Sequence, residues 1–584
     1  ARVSPMLLSL AGRDTILIRR LASALLAALL SVPFAAATAY AEPSAVQDPK
    51  TPTFFRLLQR QWRVEDVRPK AEARSYLRTR DDRVDRLSLH DAVATALENN
   101  PSIAVQRLGP MYARAEVQRA VGVFDPVFSL YGERRRTVVP TGSALAGAAE
   151  LREENNDFGT SLNKLLRTGA QFSVTFDSRE LQSNSSFIGL RPQYQPELEF
   201  SITQPLLRNF GPDLTILLVR SAEAGSSSAY YQYQADVANL ILEVVRSYWG
   251  VVQAKERLKA EELGLELARQ LTRENEARVR AGVLAPVAVK EAQAEAASRD
   301  ERVITATNGL SISRERLRLL LQRNPTGTFL PRRIEPTDSP EVRNVEPDEQ
   351  ATIEHAMYGR PELLRARYEI ENRQIVAKVR RNNLLPSLDA YASYGLNGLS
   401  GRAIPQRDFR TGETRVTRFD GDYGRALDRL SSNDFHSYSA GLALSFPLGN
   451  AVAEAEYAEG QIDLSRSELG YQDLVSRVTL EVQTAIGNVR ANSKRITASR
   501  LARELAEENL RQQERRHEVG LATTKDVLDF QEKVTSARAL EIQALIDYNV
   551  SLADLRRSEG TLLGQFDVVL ERLPEPERPA WAVF

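Results

Sequence analysis

Two hydrophobic periods alternate along this chain, and the alternation occurs twice. Val237, Leu240, Ile241, Val244, Val245, Tyr248 and Val252 recur at three- and four-residue spacing, the period of one helix face. Val475, Val478, Val482, Ile486 and Val489 do the same in the second half. Glu, Arg, Lys and Gln fill the other faces, and no proline interrupts about 213–280 or 451–523. A helix of roughly 68 residues would be about 100 Å long. Each block meets a glycine, Gly282 or Gly520, and returns as a second helical stretch, about 286–322 and 524–563. Such hairpins cannot bury their apolar stripes alone, which predicts coiled-coil pairing and oligomerisation.

The second period is two. Residues 126–138, 157–165, 170–181 and 196–205 read as strands in the first half, with Leu198, Phe200 and Ile202 alternating against Glu199, Ser201 and Thr203. In the second half Leu388, Ala390, Ala392 and Tyr394 oppose Asp389, Tyr391 and Ser393. Tyr438, Ala440, Leu442, Leu444 and Phe446 oppose Ser437, Ser439, Gly441, Ala443 and Ser445. Segments of about ten residues with this pattern suit membrane-barrel strands, and aromatics near their ends suit interfacial girdles. An alternating strand also suits a soluble sheet. Its place between very long helices, in an exported chain, favours the membrane. Long loops are expected at about 139–156, 182–195 and 398–432, with a tight turn at Arg167-Thr168-Gly169. Long loops on one side and short turns on the other are the habit of such barrels.

The two halves share landmarks in one order. Asn100-Pro101 and Arg360-Pro361 each precede a helical stretch; Asp125-Pro126 and Leu385-Pro386 each open a strand, 25 residues after the first proline. Gln204-Pro205-Leu206 and Phe446-Pro447-Leu448 follow, and then Gly282 and Gly520, each 11 residues before Gln293 or Gln531. This is a duplication. The divisions are 1–41, a signal peptide; 42–86, a Pro- and charge-rich lead-in; 87–322, the first repeat; 323–348, a proline-rich linker; 349–565, the second repeat; and 566–584, an extended tail.

The signal peptide rests on Arg19 and Arg20, the apolar stretch Leu21 to Ala37 and the small-residue site Ala39-Tyr40-Ala41 before Glu42. No later run is apolar enough for a transmembrane helix. Lys+Arg and Asp+Glu both count 77, so no global basic field attracts nucleic acid. Cysteine is absent, which excludes disulfides and thiolate chemistry, and the four histidines have no metal-ligand spacing. No G-x-S-x-G, H-E-x-x-H or P-loop occurs, so no enzyme, catalytic residue, metal or cofactor is expected.

These residues resemble the TolC-like outer membrane efflux proteins over about 87–565. The motifs are Leu87-Ser88-Leu89 with Ala92, Ala96 and Asn100-Pro101, the Pro-Leu pairs at 205–206 and 447–448, and Val519-Gly520-Leu521-Ala522-Thr523 with Asp526-Val527-Leu528-Asp529. The resemblance implies a mixed α and β fold: duplicated helix-strand-helix repeats giving a trimeric membrane β-barrel continuous with a long periplasmic α-helical coiled-coil barrel. It implies an exit duct in the outer membrane lipid, serving tripartite efflux or type I secretion. Its implied partners are two further copies of the chain, a periplasmic adaptor (membrane fusion) protein and an inner-membrane pump. The cargo implied is small molecules or unfolded polypeptide. The rival reading is an elongated periplasmic coiled-coil adaptor or scaffold.

The hairpin reversals, Gly282, Val283 and Leu284 in one repeat and Val519, Gly520, Leu521 and Thr523 in the other, are the expected adaptor-docking tips. The family match makes Asp526 and Asp529 the periplasmic gate, two stacked carboxylate rings in a trimer, with some pKa values raised by like charge. Lys525 is a candidate pairing partner. Two positions depart from the family pattern. The first repeat has four strands where two are usual, and Ala288 stands where an acidic residue is frequent, so closure is expected to be looser or to use other groups.

Overall fold

The computed structural model describes residues 84–142, 147–321, 333–342, 345–407, 412–570 and 572. The signal peptide and nearly all of the lead-in lie outside the described residues.

Each repeat begins with two short helices. In the first they are α1 (Leu89–Asn99) and α2 (Pro101–Gly122). Ser88 caps α1 through a capping box with Asp91. Asn100 then accepts from Ser102 N at 2.8 Å, with Pro101 in the first turn, where its missing N–H costs nothing. Four strands follow: β2 (Val127–Pro140), β3 (Glu150–Leu165), β4 (Gln171–Ser183) and β5 (Leu190–Pro205), after the short β1 (Val84–Leu87). A connector containing α3 (Pro212–Thr215) leads into α4 (Leu217–Arg280), which returns as α5 (Pro286–Leu320). The short strand β6 (Arg333–Pro336) precedes the second repeat.

The second repeat has α6 (Glu349–Gly359) and α7 (Pro361–Asn382), then β7 (Ser387–Asn397). Three short strands, β8 (Ser400–Ala403), β9 (Gln406–Arg407) and β10 (Thr414–Arg415), and the helix α8 (Tyr423–Ser432) come next. β11 (His436–Ser445) feeds α9 (Ala451–Glu518), 68 residues or about 100 Å of unbroken helix. α10 (Thr524–Glu559) returns, and α11 (Leu562–Gln565) closes the repeat.

β2, β3, β4, β5, β7 and β11 form one antiparallel sheet in that order, with β8 added to the outer part of β5. The registers align residues into rows across all six strands. One row reads Phe128, Leu162, Val174, Phe200, Tyr394 and Tyr438; its neighbour on the opposite face reads Ser129, Ser161, Thr175, Glu199, Gly395 and Ser437. One face is therefore apolar and the other polar.

The strands are longer than the hydrophobic pattern suggests. β3 starts at Glu150 inside the expected loop 139–156, and β5 starts at Leu190 inside the expected loop 182–195. Alternation stops there because the apolar face turns charged: Arg134 and Arg136 meet Glu154 at 3.4 and 3.3 Å. Hydrogen-bonded ladder continues where both faces are wet. A strand that spans a bilayer needs about 9–11 residues; β2–β5, at 13 to 16 residues, are longer than that.

The expected loop 398–432 contains β8, β9, β10 and α8 rather than chain without structure. Ala426 and Leu430 of α8, with Leu427, cover the outer end of the apolar face at Phe176, Leu198 and Leu396. Asp422 caps α8 by accepting from Arg425 N at 3.0 Å.

The main helical core lies where both repeats meet. Val237, Ile241, Val244, Val245, Tyr248 and Val251 of α4 pack against Leu317, Leu321 and Ala553. Burying side chains of this size contributes about 1.5–3 kcal/mol each. Tyr248 is fully buried, yet its hydroxyl donates to Leu87 O at 3.0 Å and accepts from Asp338 N at 3.1 Å. Those partners lie beside β1 and β6, which pair in parallel. The proline-rich stretch after α5 thus contributes a strand. Beyond α11, Phe566 is buried in this core, and Leu570 O accepts from Tyr230 Oη at 2.9 Å. The start of the expected extended tail is packed along α4.

α7, α9 and α10 are tied by charge. Buried Arg360 donates to Glu481 at 2.6 Å and to Glu362 at 3.2 Å, and Arg557 reaches both carboxylates. Burial pushes the Glu362 carboxyl up, but its hydrogen bond with Arg360 and the two guanidinium charges outweigh that and hold it below its usual value.

Candidate functional site

Both hairpins reverse by the same local device. Gly282 has φ +73° and Gly520 φ +78°, the left-handed conformation that an L side chain enters only at a cost. That conformation lets Val283 N donate back to Arg278 O at 3.0 Å and Leu521 N to Arg516 O at 2.8 Å. Carbonyls left open by the helix ends are thereby satisfied. The residue after each glycine is thrown outward: Val283 is 77% exposed and Leu521 70%, with Val519 at 69%. Leu284 is half-buried. The tips carry an apolar collar at the end of otherwise charged helices.

Thr523 caps α10. Its Oγ1 accepts from Asp526 N at 3.2 Å, and the Asp526 carboxylate accepts from Thr523 N at 2.8 Å and Thr523 Oγ1 at 2.7 Å. The Thr523 hydroxyl, then the Thr523 backbone N–H, hold the Asp526 carboxyl below its usual value; Arg516 and Lys525 add to this. The upward push expected of stacked carboxylate rings belongs to the trimer; within one chain, therefore, the shift of Asp526 is downward. Its stabilising effect is complete above the ordinary aspartate range and fades as pH falls through the depressed folded value. Lys525 is a charge neighbour of Asp526 and makes no ion pair with it among the described residues. Asp529, one turn on, is exposed.

The tips of the two hairpins are joined by residues the sequence reading passed over. Asn275 is fully buried on α4, and its Nδ2 donates to Thr524 Oγ1 at 3.0 Å and to Ala288 O at 3.4 Å. At position 288 it is therefore the backbone carbonyl, not the methyl side chain, that bonds to α4. Arg278 Nη1 donates to His517 O at 3.3 Å. Further along, Arg299 of α5 is 3% exposed and reaches Glu295 at 2.8 Å, Gly264 O at 2.9 Å and Leu528 O at 3.3 Å. Leu271, Leu510, Val527, Leu528 and Val534 pack around this joint. The missed signal was one of register. Asn275 follows Ala268 and Leu271 on the inner stripe of α4, and Arg299 falls midway between Ala292 and Ala306, seven residues from each. A polar residue in a heptad core position specifies a partner.

Arg299→Ala is expected to destabilise this joint by about 3 kcal/mol, because it removes a buried guanidinium that bonds the half-buried Glu295 carboxylate and the Gly264 and Leu528 carbonyls and leaves a void among the helices. Hydrogen exchange should speed up around Leu528–Gln531 and stay unchanged in β7. Uniform exchange rates in the two proteins would contradict the assigned contact.

The other feature with chemical character is the polar sheet face. Tyr131 Oη donates to Asp177 at 2.6 Å, and Arg179 Nε to Asp157 at 3.0 Å. Gly159 lies between the first pair in register, where a Cβ would collide with both side chains. Glu133, Asp157, Asp177, Glu197, Glu199 and Asp389 share this face with Arg135 and Arg179, so its balance is acidic. Among the described residues there is no His/Asp/Glu group arranged to hold a metal and no helix long and apolar enough to cross a membrane.

A family model described as outer membrane efflux protein matches residues 217–322 and 352–561, more than half of the chain. The sequence is 24% identical over 338 residues to outer membrane protein TolC of Escherichia coli (strain K12), covering 56% of this chain and 63% of that protein, just under two thirds of its length. Outer membrane protein TolC of Vibrio cholerae is 26% identical over 456 residues, which is 73% of this chain and 94% of that one. Among solved structures, the CmeC outer membrane channel of Campylobacter jejuni superposes with a TM-score of 0.57 at 14% identity, covering 81% of this chain and 86% of that one.

Proposed function

We propose a definite role for this chain, which belongs to the outer membrane efflux protein family: it is the exit duct of a tripartite efflux or type I secretion machine. Three copies close a barrel in outer-membrane lipid and continue inward as a helical tunnel. A periplasmic adaptor docks on the tips at Gly282, Val283, Leu284, Val519, Gly520, Leu521 and Thr523, and an inner-membrane pump supplies small molecules or unfolded polypeptide. Asp529, with the capped Asp526 behind it, lines the periplasmic constriction. The protein is an outer-membrane protein with a periplasmic helical portion.

The observation that carries the reading is the pair of rows across the sheet, apolar on one face and polar on the other, at the end of helices about 100 Å long. An apolar face with Phe128, Leu130, Leu442 and Leu444 exposed suits lipid, and the acidic face suits a water-filled lumen. The edges β2 and β11 are open in one chain, and an open edge cannot persist in hydrocarbon. An elongated periplasmic adaptor or scaffold would have no use for such a face. Native mass spectrometry of the protein extracted from the outer-membrane fraction is expected to give a trimer. A monomer alone, or recovery without detergent in the soluble periplasm, would overturn the proposal.

A further inference from the structure

We propose that the β3–β4 hairpin is part of the barrel wall, so that the trimer closes eighteen strands, through β2 of one copy pairing with β11 of the next. This rests on the trimeric duct reading above. The TolC-like pattern provides two strands per repeat, and a hairpin added to it could lie in the wall or outside it. Four observations favour the wall.

First, β3 and β4 are interior strands of the sheet. β3 is paired with β2 along one edge and β4 along the other, and β4 is paired with β5. Removing them from the wall would break both outer ladders. Second, their faces match those of their neighbours. Leu162 and Val174 continue the apolar row from Phe128 to Phe200, and Ser161 and Thr175 continue the polar row from Ser129 to Glu199. A hairpin lying outside a barrel would have no reason to keep this phase.

Third, the barrel and tunnel need a step between them, and the chain has one. β2, β5, β7 and β11 each join a helix, whereas the turn between β3 and β4 joins none. Two strands widen the wall by about 10 Å per chain with no helix beneath them. The turn rests instead on the connector 206–216. Thr168 O accepts from Gly211 N at 3.1 Å and from Gln204 Nε2 at 3.0 Å. Gly169, at φ +86°, is so close that a Cβ would meet Asn209 O at 2.5 Å. This connector, with α3 in it, is more than twice as long as its counterpart 446–450 in the second repeat, where no hairpin needs support.

Fourth, the edges are fitted to each other. The sheet alternates direction across six strands, so β2 and β11 run oppositely and a neighbouring copy adds an antiparallel pair. β2 is exposed along its whole length and β11 along nearly all of its own. Barrel diameter grows roughly in proportion to strand number, so the opening is about 1.5-fold wider than one of twelve strands. The outer-membrane section then does not limit cargo size, and selection by width falls to the periplasmic tips.

Electron cryo-microscopy of the full-length protein in lipid nanodiscs tests this directly, with eighteen strands expected in a threefold wall. A twelve-stranded wall with the hairpin outside it would overturn the inference and leave the duct reading intact. An assembly without threefold symmetry would overturn both. Thiol labelling gives a second readout, since the chain has no native cysteine. In cells, a water-soluble maleimide should modify Ser161→Cys and spare Leu162→Cys. Equal labelling at both positions would mean that the hairpin is wet on both sides and outside the wall.

Discussion

Replacing Gly520 by Asp together with Leu521 by Glu is expected to bring export to background while trimer yield and outer-membrane insertion stay at wild-type level. The tip can tolerate both changes. A Cβ on Gly520 meets nothing within 4 Å, and Asp is among the few residues that enter the left-handed conformation with little penalty. Leu521 is largely exposed, so its replacement opens no cavity. The substitutions do place two charges in the collar formed with Val519 and Val283. Burying an unpaired charge in a docked interface costs several kcal/mol, enough to reduce occupancy more than a hundredfold. Intracellular accumulation of a fluorescent pump substrate measures the effect. Export equal to the parent's in a correctly inserted variant would remove the tips from the docking surface. The same pair of charges at Gly282 and Val283 should act in the same direction, because the two turns share one geometry.

The second large effect is expected at Asp529. Asp526 is engaged by Thr523 and has Arg516 and Lys525 nearby, whereas Asp529 is exposed one turn further along the same face. In a trimer, three Asp529 carboxylates at the constriction would attract cations and bind multivalent ones. Asp529→Asn should lower cation-over-anion selectivity several-fold and relieve block by trivalent cations. Asp526→Asn should have a smaller effect on selectivity, because its main partner is the helix start. Reversal potentials under a salt gradient separate the two. Equal loss in both variants would restore two equivalent rings, and no loss in either would place both residues away from the constriction.

The parts of this fold that could be read from the sequence are those set by local chemistry. Pro101 and Pro361 each occupy the first turn of a 22-residue helix, and Pro126 and Pro386 each stand directly before a strand. Gly282 and Gly520 end the long helices because their turns need positive φ. What escaped was set by distant partners. The strand segments 150–156 and 190–195 lack clean apolar alternation, so a hydrophobic pattern cannot mark them. α8 was hidden in a loop rich in Gly and charge, although Ala426, Leu427 and Leu430 have helical spacing; its role appears only once it covers Phe176 and Leu198. Beyond their register, Asn275 and Arg299 carry no local signal that sets them apart from other polar helix residues, and only the second hairpin reveals them as its fasteners. The tips were located by their glycines, while the groups that join them follow from packing.

Single-channel recording of the purified protein in planar bilayers tests most directly whether three copies of this chain enclose a continuous water-filled path. Discrete, uniform and cation-selective conductance steps are the expected result, with larger steps for Arg299→Ala as the joint between hairpins loosens. A trimer that inserts into the bilayer but never conducts, in the parent and in Arg299→Ala alike, would contradict the account.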